Sequence, residues 1–107
     1  MHAILQDRAI GRVLRLIHQH PERSWTLRAL AAEANLSRSG FAARFKTRVG
    51  AAPQHYLRRY RFSKAVQLLR TTDAKIHKIA CCVGYESESS FSKAFKRVMG
   101  KAPSSYR

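Results

Sequence analysis

The stretch 27-LRALAAEANLSRSGFAARFKTRVGAAPQHY-56 returns later in the chain as 76-IHKIACCVGYESESSFSKAFKRVMGKAPSSY-106. Ala31 matches Ala80, Asn35 matches Gly84, and Phe41 matches Phe91. Phe45-Lys46 matches Phe95-Lys96, Gly50 matches Gly100, and Ala52-Pro53 matches Ala102-Pro103. The second copy carries one extra residue near Glu86. An internal repeat dictates architecture, and two copies are too few for a solenoid. They describe two similar modules joined by a spacer.

Each copy reads as helix, turn, helix. In the first, Thr26 is a good N-cap and Trp25 before it can staple onto Leu30. Leu27, Leu30, Ala31 and Ala34 form an apolar face at helical spacing. Asn35 tolerates the left-handed conformation that ends a helix, and Gly84 does so in the second copy. A second helix opens at Ser37, with Leu36 placed to staple on Phe41. Small residues at Ala31 and Ala80 let the two helices of each unit approach closely. A helix-turn-helix of this kind places its second helix in the DNA major groove.

Working outward, residues 1–6 read as frayed or as the stub of something upstream. A helix follows from Asp7, its cap, to Gln19, with Ile10, Val13, Leu14 and Ile17 on one buried stripe. His20-Pro21 ends it, because the residue before proline avoids the helical region. The next boundaries are a first lobe over 8–50, a linker helix over 53–70 opened by Pro53, and a second lobe over 74–107. The linker helix is apolar on more than one side and spans about 27 Å, which suits a helix packed between two lobes. Thr71-Thr72-Asp73 breaks and recaps the chain, and a short helix runs over 74–82. A last turn starts at Pro103. The expected fold is all-α, two helix-turn-helix lobes joined by a long linker helix.

The 107 residues carry 21 Lys plus Arg against 6 Asp plus Glu, a formal net charge of +15. Solvation alone asks for only a few charges, so a polyanionic partner is implied, and nucleic acid is the default. A membrane surface is the other polyanion, but the charges are spread along the chain rather than gathered on one amphipathic helix. No apolar run approaches a membrane span, and the N-terminus does not read as a signal peptide. A cytoplasmic protein is expected. Cys81 and Cys82 are adjacent and cannot form an unstrained disulfide. They read as two ordinary thiols of a reducing compartment, Cys81 packed and Cys82 more exposed.

The two second helices present different chemistry outward. The first shows Ser39, Ala42 and Ala43, small groups that allow close approach and contact with thymine methyls. The second shows Glu88, Ser89, Ser92 and Lys93. Lys93 can donate to guanine O6 or N7, and Glu88 can accept from cytosine N4. Hydrogen-bonded readout is therefore expected of the second helix, and shape and apolar fit of the first. Ser37 and Ser87, at positive helix ends, suit phosphate contacts. Arg38, Arg44, Lys46, Arg48, Arg61, Lys96, Arg97 and Lys101 are the further phosphate candidates. Phe41, Phe45, Phe91, Phe95, Tyr56, Tyr60, Tyr85 and Tyr106 recur at matched spacing and read as core rather than as base-stacking platforms. With both readers in one chain, a monomer would engage two successive major-groove segments of an asymmetric site.

Taken together, these residues resemble the AraC/XylS family of bacterial transcription regulators. The likeness rests on TLRALAAEANLSRSGF and Phe45-Lys46 in the first unit and on RFSKAVQLL over 61–69 in the linker. In the second unit it rests on IHKIACCVGY, SSFSKAFK, Gly100 and the closing PSSYR, so it covers residues 10–107. It implies promoter binding and regulation of transcription, usually activation, with RNA polymerase as a possible partner alongside double-stranded DNA. It also implies a DNA-binding domain of about seven helices, of homeodomain-like helix-turn-helix type. No cofactor, metal or membrane partner is expected. Relatives often have Ser or Thr before each proline, where this chain has Ala52 and Ala102. They often have arginine where this chain has Ala43, a role Arg44 can partly take over. Most also carry an N-terminal effector or dimerisation domain. The abrupt start and stop read as an excised C-terminal domain, with a stand-alone small regulator as the other reading.

Two further functions fit part of the sequence. A non-specific basic DNA- or RNA-binding protein would lose affinity steeply with salt and barely depend on sequence. A fragment of a DNA-repair methyltransferase would need an activated or metal-bound cysteine, and neither cysteine has a second Cys pair or ligating His at metal spacing. His2, His18, His20, His55 and His77 read as single exposed histidines. No paired carboxylates, nucleophile–base motif or phosphate-binding glycine loop marks an enzyme.

Overall fold

The structure, a computed structural model, describes residues 7–107; the stretch read as frayed and His2 lie outside the described residues. Among the described residues there are six α-helices and one 3-10 helix, and no strand. They are α1 (Arg8–Gln19), α2 (Leu27–Ala34), α3 (Arg38–Val49), α4 (Pro53–Thr71), α5 (Ile76–Cys82), α6 (Glu88–Met99) and the 3-10 helix Pro103–Tyr106.

The chain divides into two compact units. One holds the residues through His20 together with Ser24–Leu57; the other holds Pro21–Arg23 together with Arg58–Arg107. In the first unit α1, α2 and α3 pack on one another. The core here includes Ile10, Val13, Ile17, Leu30, Phe41, Phe45 and Leu57, each almost wholly excluded from solvent. Helix starts are set by local chemistry. Asp7, Thr26 and Ser37 each accept a backbone N–H three residues on, satisfying a donor the helix itself cannot. The indole N–H of Trp25 donates to His20 O at 2.8 Å, and the Gln54 amide donates to Trp25 O at 2.8 Å. Asn35 takes the left-handed conformation at φ 59° and ends α2.

The second unit is built on Phe62, Ala65 and Leu69 of α4, Ile79 and Ala80 of α5, Val83, and Phe91 and Phe95 of α6. Phe62 meets Phe91 and Phe95 edge to face, at ring centroid distances of 6.1 and 5.4 Å, a favoured aromatic geometry. These phenylalanines are buried, as the repeat spacing required. The terminal Arg107 donates to Leu69 O and Thr72 O, satisfying carbonyls that the end of α4 leaves open.

Two expectations are corrected. Helix α5 starts at Ile76, not at residue 74, and Asp73 does not recap it. Thr72 Oγ accepts the Ala74 N–H at 3.3 Å, and Lys75 occupies the N-cap position with no side-chain cap bond. Cys81 is exposed, as is Cys82. The repeat register holds, because Ala32, the match of Cys81, is exposed too. The buried small residues are their neighbours Ala31 and Ala80.

Candidate nucleic-acid interface

The second helix of each helix-turn-helix, α3 and α6, has an open outward side. On α3, Phe41 and Phe45 anchor the inner side. Ser39, Ala43, Lys46 and Thr47 are exposed, while Ala42 is half-buried on the flank. Ser37 Oγ accepts the Gly40 N–H at 3.1 Å. A Cβ on Gly40 would come within 2.9 Å of that oxygen, so glycine here keeps the cap closed. Arg38 is exposed at the first turn.

On α6, Phe91 and Phe95 anchor the inner side. Glu88, Ser89, Lys93, Lys96 and Arg97 are exposed, Ser92 is half-buried, and Lys101 follows, exposed, just past the helix. Ser87 Oγ accepts the Ser90 N–H at 3.1 Å. Glu88 lies in the first turn, where the helix dipole favours a negative charge. At about 100° per residue, Arg97 lies near Lys93 on the outward row, four residues on.

The flanks of the two helices differ. Arg44 and Arg48 of α3 correspond to Ala94 and Val98 of α6, which are half-buried against the second core. Arg44 and Arg48 instead meet Asp7, the N-cap of α1. Asp7 Oδ2 accepts from Arg44 Nε at 2.7 Å and from Arg48 Nε at 3.3 Å, while Oδ1 accepts the Ile10 N–H. The Asp7 side chain is 1% exposed and the two arginine side chains are 45% exposed. Burial pushes the Asp7 carboxyl up, but the Arg44 and Ile10 hydrogen bonds and the charges of Arg44 and Arg48 outweigh it and hold it below its ordinary value. Asp7 was legible only as a cap. Its partners stand 37 and 41 residues away and leave no local pattern.

Arg61 is the one phosphate candidate that the structure removes from an open surface. It is half-buried on α4, with Nε donating to Pro21 O at 2.9 Å and Nη2 to Arg23 O at 2.7 Å. Burial lowers its pKa, partly offset by the charges of Tyr85 and Glu22. These bonds tie Pro21–Arg23 to the second unit and bring the guanidinium against Gly84 in the turn before α6. His18 is exposed, with Nε2 2.6 Å from the Tyr56 hydroxyl, whereas His20 is half-buried, which corrects the exposed reading there. Burial lowers the His18 pKa.

Among the described residues no group of three or more His, Cys, Asp or Glu could hold a metal ion. Among them, no helix is long and apolar enough to cross a membrane. What the two open helix faces offer is a pair of capped helices with exposed hydroxyl, amine and guanidinium groups, the donor types that meet base edges and phosphates.

Comparison with known proteins gives the same picture. A family model described as a helix-turn-helix domain matches residues 30–107. A putative AraC-like transcription regulator of Streptomyces lividans is 48% identical over 103 residues, covering 96% of this chain and 34% of that protein. The HTH-type transcriptional regulator AlkR of Acinetobacter baylyi is 44% identical, covering 92% of this chain and 32% of that protein. The chain thus spans about a third of the length of these curated relatives. Among solved structures, the C-terminal domain of AraT, a response regulator from Geobacillus stearothermophilus, superposes with a TM-score of 0.88 at 35% identity, over 94% of this chain and 84% of that one. The DNA-binding domain of AdpA, a global transcriptional factor in complex with a target DNA, superposes with a TM-score of 0.84 at 30% identity, over 94% of this chain and 90% of that one.

Proposed function

The chain belongs to the AraC-type helix-turn-helix family of transcription regulators, and on that premise we propose that it binds a specific, asymmetric promoter site on double-stranded DNA. Helices α3 and α6 enter successive major-groove segments. The observation that carries the reading is the matched pair of serine-capped helices whose outward faces are open yet chemically unlike. Unlike readers in one chain need unlike half-sites.

Helix α6 carries most of the hydrogen-bonded readout, through Lys93 with Glu88, Ser89 and Ser92. Helix α3 reads by close approach through Ser39, Ala42 and Ala43. Arg38, Lys46, Lys96, Arg97 and Lys101, with the serine-capped helix ends at Ser37 and Ser87, grip phosphates and set the register. Arg44 and Arg48 add to this grip from the flank of α3. In the cell the chain acts in the cytoplasm, with RNA polymerase and an effector or dimerisation domain as further partners. The domain serves regulation and carries no catalytic step of its own.

In-vitro selection from random duplexes at about 150 mM salt tests this, since non-specific binding is weak there. An enriched asymmetric motif with two half-sites roughly one helical turn apart supports it. Uniform recovery of all sequences refutes it and favours the non-specific alternative.

A further inference from the structure

Asp7 does two separate things with its two oxygens. Oδ1 caps α1 through Ile10, which is all that a helix start requires. Oδ2 faces the guanidinium groups of Arg44 and Arg48. Burying a carboxylate carries a desolvation penalty, and an uncharged cap would start the helix without it. The charge therefore serves something other than the cap.

We propose that Asp7 is a positioning residue for DNA binding, whose buried carboxylate holds Arg44 and Arg48 on one flank of the first reading helix so that their terminal amino groups meet DNA phosphates. The inference rests on the reading of α3 as a DNA-reading helix. Each arginine meets Asp7 through Nε, and a guanidinium has five N–H donors, so the terminal amino groups are left for other acceptors. An arginine already held in place surrenders less rotamer freedom on contact than a free one. Lys46 lies two residues beyond Arg44, about 200° around the helix, on the opposite flank. Held arginines on one side and a lysine on the other bracket an outward row of small residues. That arrangement makes the first reader depend on its phosphate grip. The second reader needs no such device, because Ala94 and Val98 occupy its equivalent flank and Lys93 and Arg97 stand on its outward row.

The test is Asp7→Asn, assayed by fluorescence anisotropy on a duplex recovered by selection, across a series of salt concentrations. Asparagine keeps the helix cap and shape, and replaces the charged acceptor that faces the two arginines with an amide N–H2. Simple electrostatics predicts tighter binding, because the variant gains one net positive charge. Positioning predicts the opposite sign: affinity about tenfold weaker, with the slope of log K against log salt shallower by about 1 to 2, as lost phosphate contacts require. In an Arg44→Ala/Arg48→Ala background, Asp7→Asn is expected to change nothing further. Arg44→Lys/Arg48→Lys, which leaves the cap untouched and removes the forked donors, is expected to lose affinity to a similar extent, and covers the case in which Asp7→Asn unfolds. Unchanged or tighter binding by a folded Asp7→Asn protein overturns the inference, as does an equal loss in the double-alanine background. Failure of the parent chain to select any site is a different result, which overturns the DNA-binding reading as well.

Discussion

Replacing Gly84 by alanine tests how the turn of the second unit is held. Gly84 sits at φ +93°, a conformation that L side chains rarely adopt. Forcing alanine there costs roughly 1–2 kcal/mol in backbone strain. The site is also crowded. A Cβ would lie 3.1 Å from Pro21 O, 3.1 Å from Arg61 Nη2 and 3.2 Å from Arg61 Cζ. Pro21 O is backbone, so the guanidinium has to give way by a few tenths of an ångström. Its bonds to Pro21 O and Arg23 O, 2.9 and 2.7 Å long, then weaken. A hydrogen bond from a charged donor contributes about 1.5–3 kcal/mol, so partial loss adds about 1–2 kcal/mol. The expected total is about 2–4 kcal/mol. Gly100 of the same unit is the control, at φ +86° with nothing within 4 Å of its Cβ position. Gly100→Ala should show the strain alone, about 1–2 kcal/mol. Urea unfolding followed by far-UV circular dichroism compares the two. With an m-value of about 1–3 kcal/mol per molar, the midpoints should differ by roughly 0.3–2 M. Equal midpoints would show that the Arg61 clamp contributes nothing at this turn.

Other predictions concern the interface and the caps. Lys93→Ala should cost about 1–3 kcal/mol in binding and relax preference at one base position, whereas Lys46→Ala should weaken all sequences alike and reduce the salt slope by about 1; competition with a panel of point-substituted duplexes separates them. Ser37→Ala and Ser87→Ala should each destabilise by about 1 kcal/mol, read by thermal denaturation, since each removes a cap bond. The Asp7 carboxyl has a depressed pKa in the folded state, so its contribution is present above the unfolded value near 3.8 and is lost as pH falls through the folded value. The stability gap between the parent and Asp7→Asn should therefore be full at pH 7 and close in acid, as measured by urea midpoints. Cys81→Ser and Cys82→Ser, at exposed positions, should each shift stability by no more than about 0.5 kcal/mol.

What the sequence by itself determined is whatever repeats within a few residues. The apolar stripe Ile10, Val13, Leu14, Ile17, the caps at Asp7, Thr26, Ser37 and Ser87, and the phenylalanine pairs of both units each follow from helical periodicity or from one cap bond three residues long. Those signals located the helices, and the matched copies located both open faces. The start of α5 is not legible in the sequence because Thr72 competes for a backbone N–H, which no periodicity records. The facing of Cys81 is not legible there either, because a seven-residue helix carries too little periodicity to orient every position. Only the tertiary structure decided how the arginines divide. Arg61 is folded inward onto Pro21 and Arg23, 40 and 38 residues away, while Arg44 and Arg48 are drawn to Asp7 across α1 and α3. In the sequence all three are simply positive charges on helices. A guanidinium looks the same in the chain whether it meets a carbonyl, a carboxylate or a phosphate, and only the packing of distant segments brings one of those acceptors within reach.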